Sequence, residues 1–299
     1  MNGSSVDYRC VLAVVDLGTL TELVLDRAVD LGRRCGATVD VANVLEGMPV
    51  LLYHAFPPQE LQKIVDRNTS WSRERLVQLV SSRPGIRGGH TVTGILAEET
   101  RALADRIGAD LLVIGAHERH GMAILLRDRS DEILHKARRD TLVVKQATPE
   151  SPPYRHVLAA IDLDERGERV AARAARMASL HGAALTLLHV VDHFPVDRSN
   201  TLIAPEDRDP LVHAREHALG RLESLMNQTD VAESRLEVMV SARKASREIP
   251  AFAEGAGVDL IVTGSHGPHG LGRLLGSTAD GIVHRAHCDV LVARLPTTP

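Results

Sequence analysis

The chain repeats itself. Set without gaps at an offset of 149, residues 115–146 and 264–295 are identical at 13 of 32 positions, including Gly115/Gly264, His117/His266, Asp131/Asp280, His135/His284 and Asp140/Asp289. The earlier parts match at an offset of 146, where VLAVVDL at 11–17 faces VLAAIDL at 157–163. A chain of 299 residues is long enough for two ordinary domains, and a duplication of this length makes both halves the same fold. The segment 148–154, TPESPPY, is short and rich in proline and reads as the linker, which predicts domains over 1–148 and 154–299.

Each half alternates two periodicities. In the second, the spacing predicts strands over 155–162, 184–191, 234–240, 258–263 and 290–294. Helices are expected over 166–181, 209–228, 245–254 and 273–286. The strands are near-continuous Val, Leu, Ile and Ala runs, the signature of a parallel sheet covered on both faces. The fold class is therefore α/β, two tandem doubly wound parallel-sheet domains. Ligands of such folds bind outside the carboxyl ends of the strands, where Asp162, Val190 and Gly264 fall.

The stretch 264–278, GSHGPHGLGRLLGST, carries the strongest chemical signal. Glycines between a strand and a helix let backbone N–H groups approach a phosphate, and the helix dipole adds to the attraction. Asp162 cannot bind phosphate but suits ribose hydroxyls. Its carboxylate equally has the chemistry of a helix cap, and the glycine loop that of a plain turn, so both structural readings stay open.

Two tandem halves, each with a strand-terminal Asp, and the tail G-S-H-G…G-S-T-A-D-x-I-V-H-R-A-x-C-D-V-L-V resemble the universal stress protein family, tandem two-domain branch. The resemblance spans essentially the whole chain. It implies strand order 3-2-1-4-5, five strands per domain, and two halves packed as a pseudo-two-fold pair through 141–145 and 290–294. It also implies a cytoplasmic protein with a part in stress survival that binds ATP, ADP or AMP, with Mg2+ or Mn2+ carried on the phosphates. By the same resemblance Asp162 contacts ribose or adenine beside Ala160, Val190 faces the adenine, and Thr263 lines the pocket floor. Gly264 and Gly267 hold phosphates, and Gly276, Ser277 and Thr278 close on them. The family spaces its second glycine and the Gly-Ser pair by nine residues, whereas 268–275 supplies eight. The loop then either turns more tightly or holds phosphate less well.

The first half departs further. Glu118 faces Gly267, and Arg127, Asp128 and Arg129 face Gly276, Ser277 and Thr278. Carboxylates in an anion loop repel phosphate, so the first half is expected to bind no ATP, although Asp16 and Val44 persist. The apolar segment 48–56 either covers an apolar ligand or packs within the protein.

The remaining features exclude more than they add. A net charge of −4 and 2% aromatic residues argue against nucleic acid. No apolar run approaches the ~20 residues of a membrane span, and the N-terminus lacks a signal-peptide pattern. Cys10, Cys35 and Cys288 are scattered, as in a reducing cytosol. His117/His120 and His266/His269 have H-x-x-H spacing, and His284/His287, read on a helix, would share a face, yet a tetrahedral zinc site needs further ligands, so no metal site is assigned. No Walker lysine, nucleophile elbow or general base is evident, although Arg273 lies in the loop. Binding is favoured over turnover. The chain is expected to be a nucleotide-dependent signalling or protective module, a homodimer of tandem units with protein partners the residues do not name. Its rivals are a weak ATPase and a nucleotide-free binder of a lipid or other apolar metabolite.

Overall fold

A computed structural model describes residues 7–47, 56–116, 129–145, 153–192, 210–265 and 275–295. The chain divides into two compact units, Asp7–Ser151 and one that includes Pro152–Pro299. The first runs β1 (Cys10–Val14), α1 (Thr21–Cys35), β2 (Thr38–Leu45), α2 (Pro58–Ser81), β3 (Ile86–Thr93), α3 (Leu96–Ile107), β4 (Leu111–Gly115), α4 (Arg129–Lys136) and β5 (Asp140–Val144). The second repeats the series as β6 (His156–Ala160), α5 (Glu165–His181), β7 (Ala184–Asp192), α6 (Pro210–Met226), β8 (Ser234–Ser241), α7 (Ala245–Gly255), β9 (Leu260–Gly264), α8 (Ser277–Arg285) and β10 (Asp289–Ala293).

Within the first unit the strand order is β3-β2-β1-β4-β5, and within the second β8-β7-β6-β9-β10; every pair is parallel. This is the doubly wound 3-2-1-4-5 arrangement in each copy. The central strands are apolar on both faces because helices cover both: Val11, Leu12 and Ala13, like Val157, Leu158 and Ala159, are fully buried. Helices α1 and α5 end alike, with Gly36 and Gly182 in the left-handed conformation at φ 67° and 64°, where a side chain would be strained. Among the described residues no helix is long and apolar enough to cross a membrane.

The two copies share polar anchors as well as apolar ones. Tyr8 donates to Asp140 at 2.9 Å, and Tyr154 donates to Asp289 at 2.7 Å, both bonds buried. Asp110 accepts the amides of Arg9 and Cys10, and Asp259 accepts those of Arg155 and His156. Tyr154, the last residue of the proline-rich segment and the first of the second domain, is a core residue of that domain, packed beside the His181 ring. Tyr154→Phe keeps the ring and removes the donor from a buried carboxylate. It is expected to cost ~1–3 kcal/mol, read as a lower urea midpoint of the second domain.

The copies differ at Asp40, a buried carboxylate in β2 that stands where the second half has Thr186. Asp40 accepts from Arg87 at 2.5 Å and pairs with His90 at 3.0 Å across to β3. The hydrogen bond and the charge of Asp40 raise the Arg87 guanidinium above its ordinary range. In the second copy His156 and Thr186 meet at 2.8 Å instead.

Candidate functional site

The carboxyl ends of β6, β7 and β9 open into a cavity of about 330 Å3 within the second domain. Ala160, Asp162, Val190, Thr263 and Gly264 line its strand side, and Gly276, Ser277 and Thr278 line its helix side. Eight of the nine residues expected from the sequence therefore meet in one cavity. Gly267 lies outside the described residues, as do His266, His269 and Arg273.

Asp162 sits two residues beyond the end of β6. The chain is held there by Ile161, whose amide donates to Leu188 at 2.9 Å and whose carbonyl accepts from His189 Nδ1 at 2.7 Å. That second bond has a counterpart in the first copy, where Asn43 donates to the Val15 carbonyl at 2.9 Å. The cap of α5 is Asp164, not Asp162: its Oδ1 accepts the amides of Arg166 at 2.9 Å and Gly167 at 3.2 Å. The reading of Asp162 as the helix cap is thereby corrected. Both carboxylates lie near the helix start in sequence, but the residue at the capping position is Asp164, with an extended backbone at φ −93° and ψ 179°.

Gly167 allows α5 to start so close to the strand end. A Cβ there would stand 1.9 Å from the Asp162 carbonyl oxygen. The glycine thus fixes how the first turn of α5 rests on the loop that carries Asp162.

Helix α8 begins differently. The expected helix over 273–286 starts at Ser277, because Gly276 is extended at φ −63° and ψ 148° and its amide donates to the Ser265 carbonyl at 2.9 Å. Helix α8 has Gly276 at its N-cap, which offers no side chain, and no cap bond is present among the described residues. Its first intrahelical bond runs from the Asp280 amide to the Gly276 carbonyl, so the amides of Ser277, Thr278 and Ala279 have no intrahelical partner. Two helix N-termini thus border the cavity with opposite character. That of α5 is filled by a carboxylate, and that of α8 begins at a glycine with no side-chain cap among the described residues. Dipole and amides without an intrahelical partner together make the α8 end the favourable place for an anion.

The opposite wall is apolar: Leu188, Val170, Ile249 and Leu295 join Ala160 and Val190. The cavity therefore combines an apolar lining, a carboxylate and the first turn of a helix. Arg166, His189, Ile249 and Leu295 belong to it and were not singled out from the sequence. Arg166 had a detectable signal, a cation four residues after Asp162 where the first half has Leu20. The others lie in ordinary core patterns.

In the first copy the position of Arg166 is taken by Leu20, and Gly115, like Gly264, lies close against its neighbours. Leu20 is buried, and its Cβ would meet a Cβ added at Gly115 at 3.1 Å, with Val24 at 3.2 Å on the same side. Asp16 turns its carboxylate to the Gly18 amide at 2.8 Å. The residues 117–128, which hold the charged replacements Glu118, Arg127 and Asp128, and 48–55 of the apolar segment lie outside the described residues.

The histidine pair expected on the last helix is also corrected. Helix α8 ends at Arg285, with Ala286 extended at ψ 136°, so His287 leaves the face that carries His284. His284 Nδ1 bonds the Asp280 carbonyl at 2.8 Å, and His287 approaches Glu254 at 3.8 Å. Among the described residues no three His, Cys, Asp or Glu side chains are grouped to hold a metal.

Two doubly wound units in tandem, the second with a cavity at its strand ends, define a class of two-domain α/β proteins. The universal stress protein family model matches residues 7–145 and again 153–294, and the chain belongs to that family of stress-response proteins. Universal stress protein A homolog 1 of Coxiella burnetii is 38% identical over 138 residues, which is 46% of this chain and 94% of the relative. Homolog 2 from the same organism is 33% identical over 144 residues, 48% of this chain and 96% of the relative. Among solved structures, a universal stress protein from Archaeoglobus fulgidus DSM 4304 shares the fold, with a TM-score of 0.67 and 16% identity over 95% of this chain and 96% of that one.

Proposed function

We propose that the second domain, over 154–299, binds an adenine nucleotide, ATP, ADP or AMP, and that the first domain, over 1–148, does not. The observation that carries this reading is one cavity lined by Asp162, by the first turn of α8 at Ser277 and Thr278, and by apolar side chains. Adenine suits the apolar side at Ala160 and Val190. Ribose hydroxyls can donate to Asp162. The phosphates suit the amides of Ser277 and Thr278 with the glycines at 264, 267 and 276, and Mg2+ or Mn2+ would be carried by the phosphates. Occupancy of the site is the signal, and engagement of a protein partner or protection under stress is the output. The family membership supports a homodimer of two-domain chains acting in the cytoplasm, tested by light scattering of the purified protein and by fractionation.

Native mass spectrometry of the purified full chain is expected to find ATP, ADP or AMP bound at one site per chain. Asp162→Ala removes an acceptor of charge-assisted hydrogen bonds and is expected to weaken ATP binding by roughly ten- to a hundredfold in calorimetry. Absence of binding at millimolar ATP with Mg2+ would refute the reading. Phosphate release above buffer that disappears in Asp162→Ala would turn it into the weak-ATPase reading.

A further inference from the structure

We propose that His189 reads the base in the second-domain site, its Nε2 accepting a hydrogen bond from the amino group of adenine. The inference rests on the nucleotide reading of that cavity and deepens it, because it names the group by which adenine is told from other purines.

His189 lies in β7 between Leu188 and Val190, and all three line the cavity. Its Nδ1 stands 2.7 Å from the Ile161 carbonyl oxygen. A carbonyl can only accept, so Nδ1 carries the hydrogen of that bond. In the neutral ring Nε2 is then left with a lone pair and can only accept. The same bond sets how the ring lies, since Ile161 is itself held by its amide bond to Leu188 at 2.9 Å. Among the described residues Nε2 has no hydrogen-bond partner. Adenosine offers an acceptor its amino group and two ribose hydroxyls. The two oxygens of Asp162 can take both hydroxyls, which leaves the amino group for the residue beside Val190. A base without that donor would leave Nε2 unpaired in the filled cavity, and an unpaired polar group discriminates against the ligand that causes it.

The duplication separates the two ring nitrogens. In the first copy Asn43 stands at the position of His189, and its Nδ2 makes the same bond, to the Val15 carbonyl at 2.9 Å. Asparagine therefore reproduces what Nδ1 does for the strand end. Its Oδ1 is buried without a hydrogen-bond partner among the described residues. Holding the strand end needs a donor alone, and the second nitrogen of His189 is surplus to that task.

The test is calorimetric binding of ATP and of purine riboside triphosphate, which is ATP without the amino group. The full chain is used as wild type, His189→Asn and His189→Ala, with thermal melts to verify folding. The wild type is expected to bind ATP about tenfold more tightly than the analogue. His189→Asn keeps a donor for Ile161 and loses Nε2, so it is expected to bind the analogue within about twofold of wild type while its preference for ATP falls to about twofold or less. His189→Ala loses both nitrogens and is expected to weaken both nucleotides by about tenfold, as the strand end that leads to Asp162 loses its tie. Equal binding of ATP and the analogue by the wild type, or a preference retained in full by His189→Asn, would overturn the assignment while leaving the nucleotide reading intact. Failure of the wild type to bind either nucleotide would overturn both.

Discussion

Ser277→Asp is expected to weaken ATP binding by at least about a hundredfold while leaving the second domain as stable as before, or slightly more so. Ser277 is the first residue of α8, beside the amides without an intrahelical partner that favour an anion. An aspartate there would occupy the anion position with a covalently attached charge. Its repulsion of a phosphate at ~4 Å is about 4 kcal/mol at an effective dielectric of 20, well above the 2.7 kcal/mol that a hundredfold loss requires. The same carboxylate interacts favourably with the helix dipole by ~0.3–1 kcal/mol, so stability moves the other way. Calorimetry and thermal melts on one preparation separate the two effects. Unchanged ATP affinity would remove the α8 end from the site. The substitution copies the first half, where Asp128 aligns with Ser277. The reverse change, Asp128→Ser, is not expected to create a site, because Glu118 and Arg127 still stand where the second half has Gly267 and Gly276.

Gly167→Ala carries the second large effect. Alanine is favoured over glycine inside a helix by ~1 kcal/mol, so propensity alone forecasts stabilisation. The added Cβ, however, would lie 1.9 Å from the Asp162 carbonyl oxygen, a backbone atom that no side-chain rotation can move aside. Overpacking of this kind costs ~1–3 kcal/mol and occasionally more, and here the strained atoms belong to the loop that carries the candidate ribose contact. The clash should win. The urea midpoint of the second domain is expected to fall, and ATP binding to weaken by about tenfold as Asp162 shifts. A variant more stable than wild type with full ATP affinity would mean that α5 has room to withdraw from the strand end.

The strands could be read from the chain because a parallel strand covered on both faces must be apolar throughout, and the runs at 157–161 and 260–262 are. The strand order came from the resemblance, since five buried strands admit several orders that composition does not distinguish. Helix α8 was placed four residues too early, because Arg273, Leu274 and Leu275 fit helical spacing while the bond from Gly276 to Ser265 is a contact across the sheet end. Tyr154 closes the proline-rich segment; its partner Asp289 is 135 residues away. His287 was placed on a helix that ends two residues before it.

The site divides in the same way. The repeat, its α/β character and the glycine-rich stretch follow from residue order, because periodicity and backbone freedom are local properties. Long-range packing settles the rest. Of two nearby carboxylates, the turn geometry makes Asp164 the cap of α5. The cavity of the second domain is completed by Val170, Leu188, Ile249 and Leu295, from elements far apart in the chain. Whether a strand end becomes a cavity depends on which side chains from distant elements occupy the space before it, and that is a property of the packed fold.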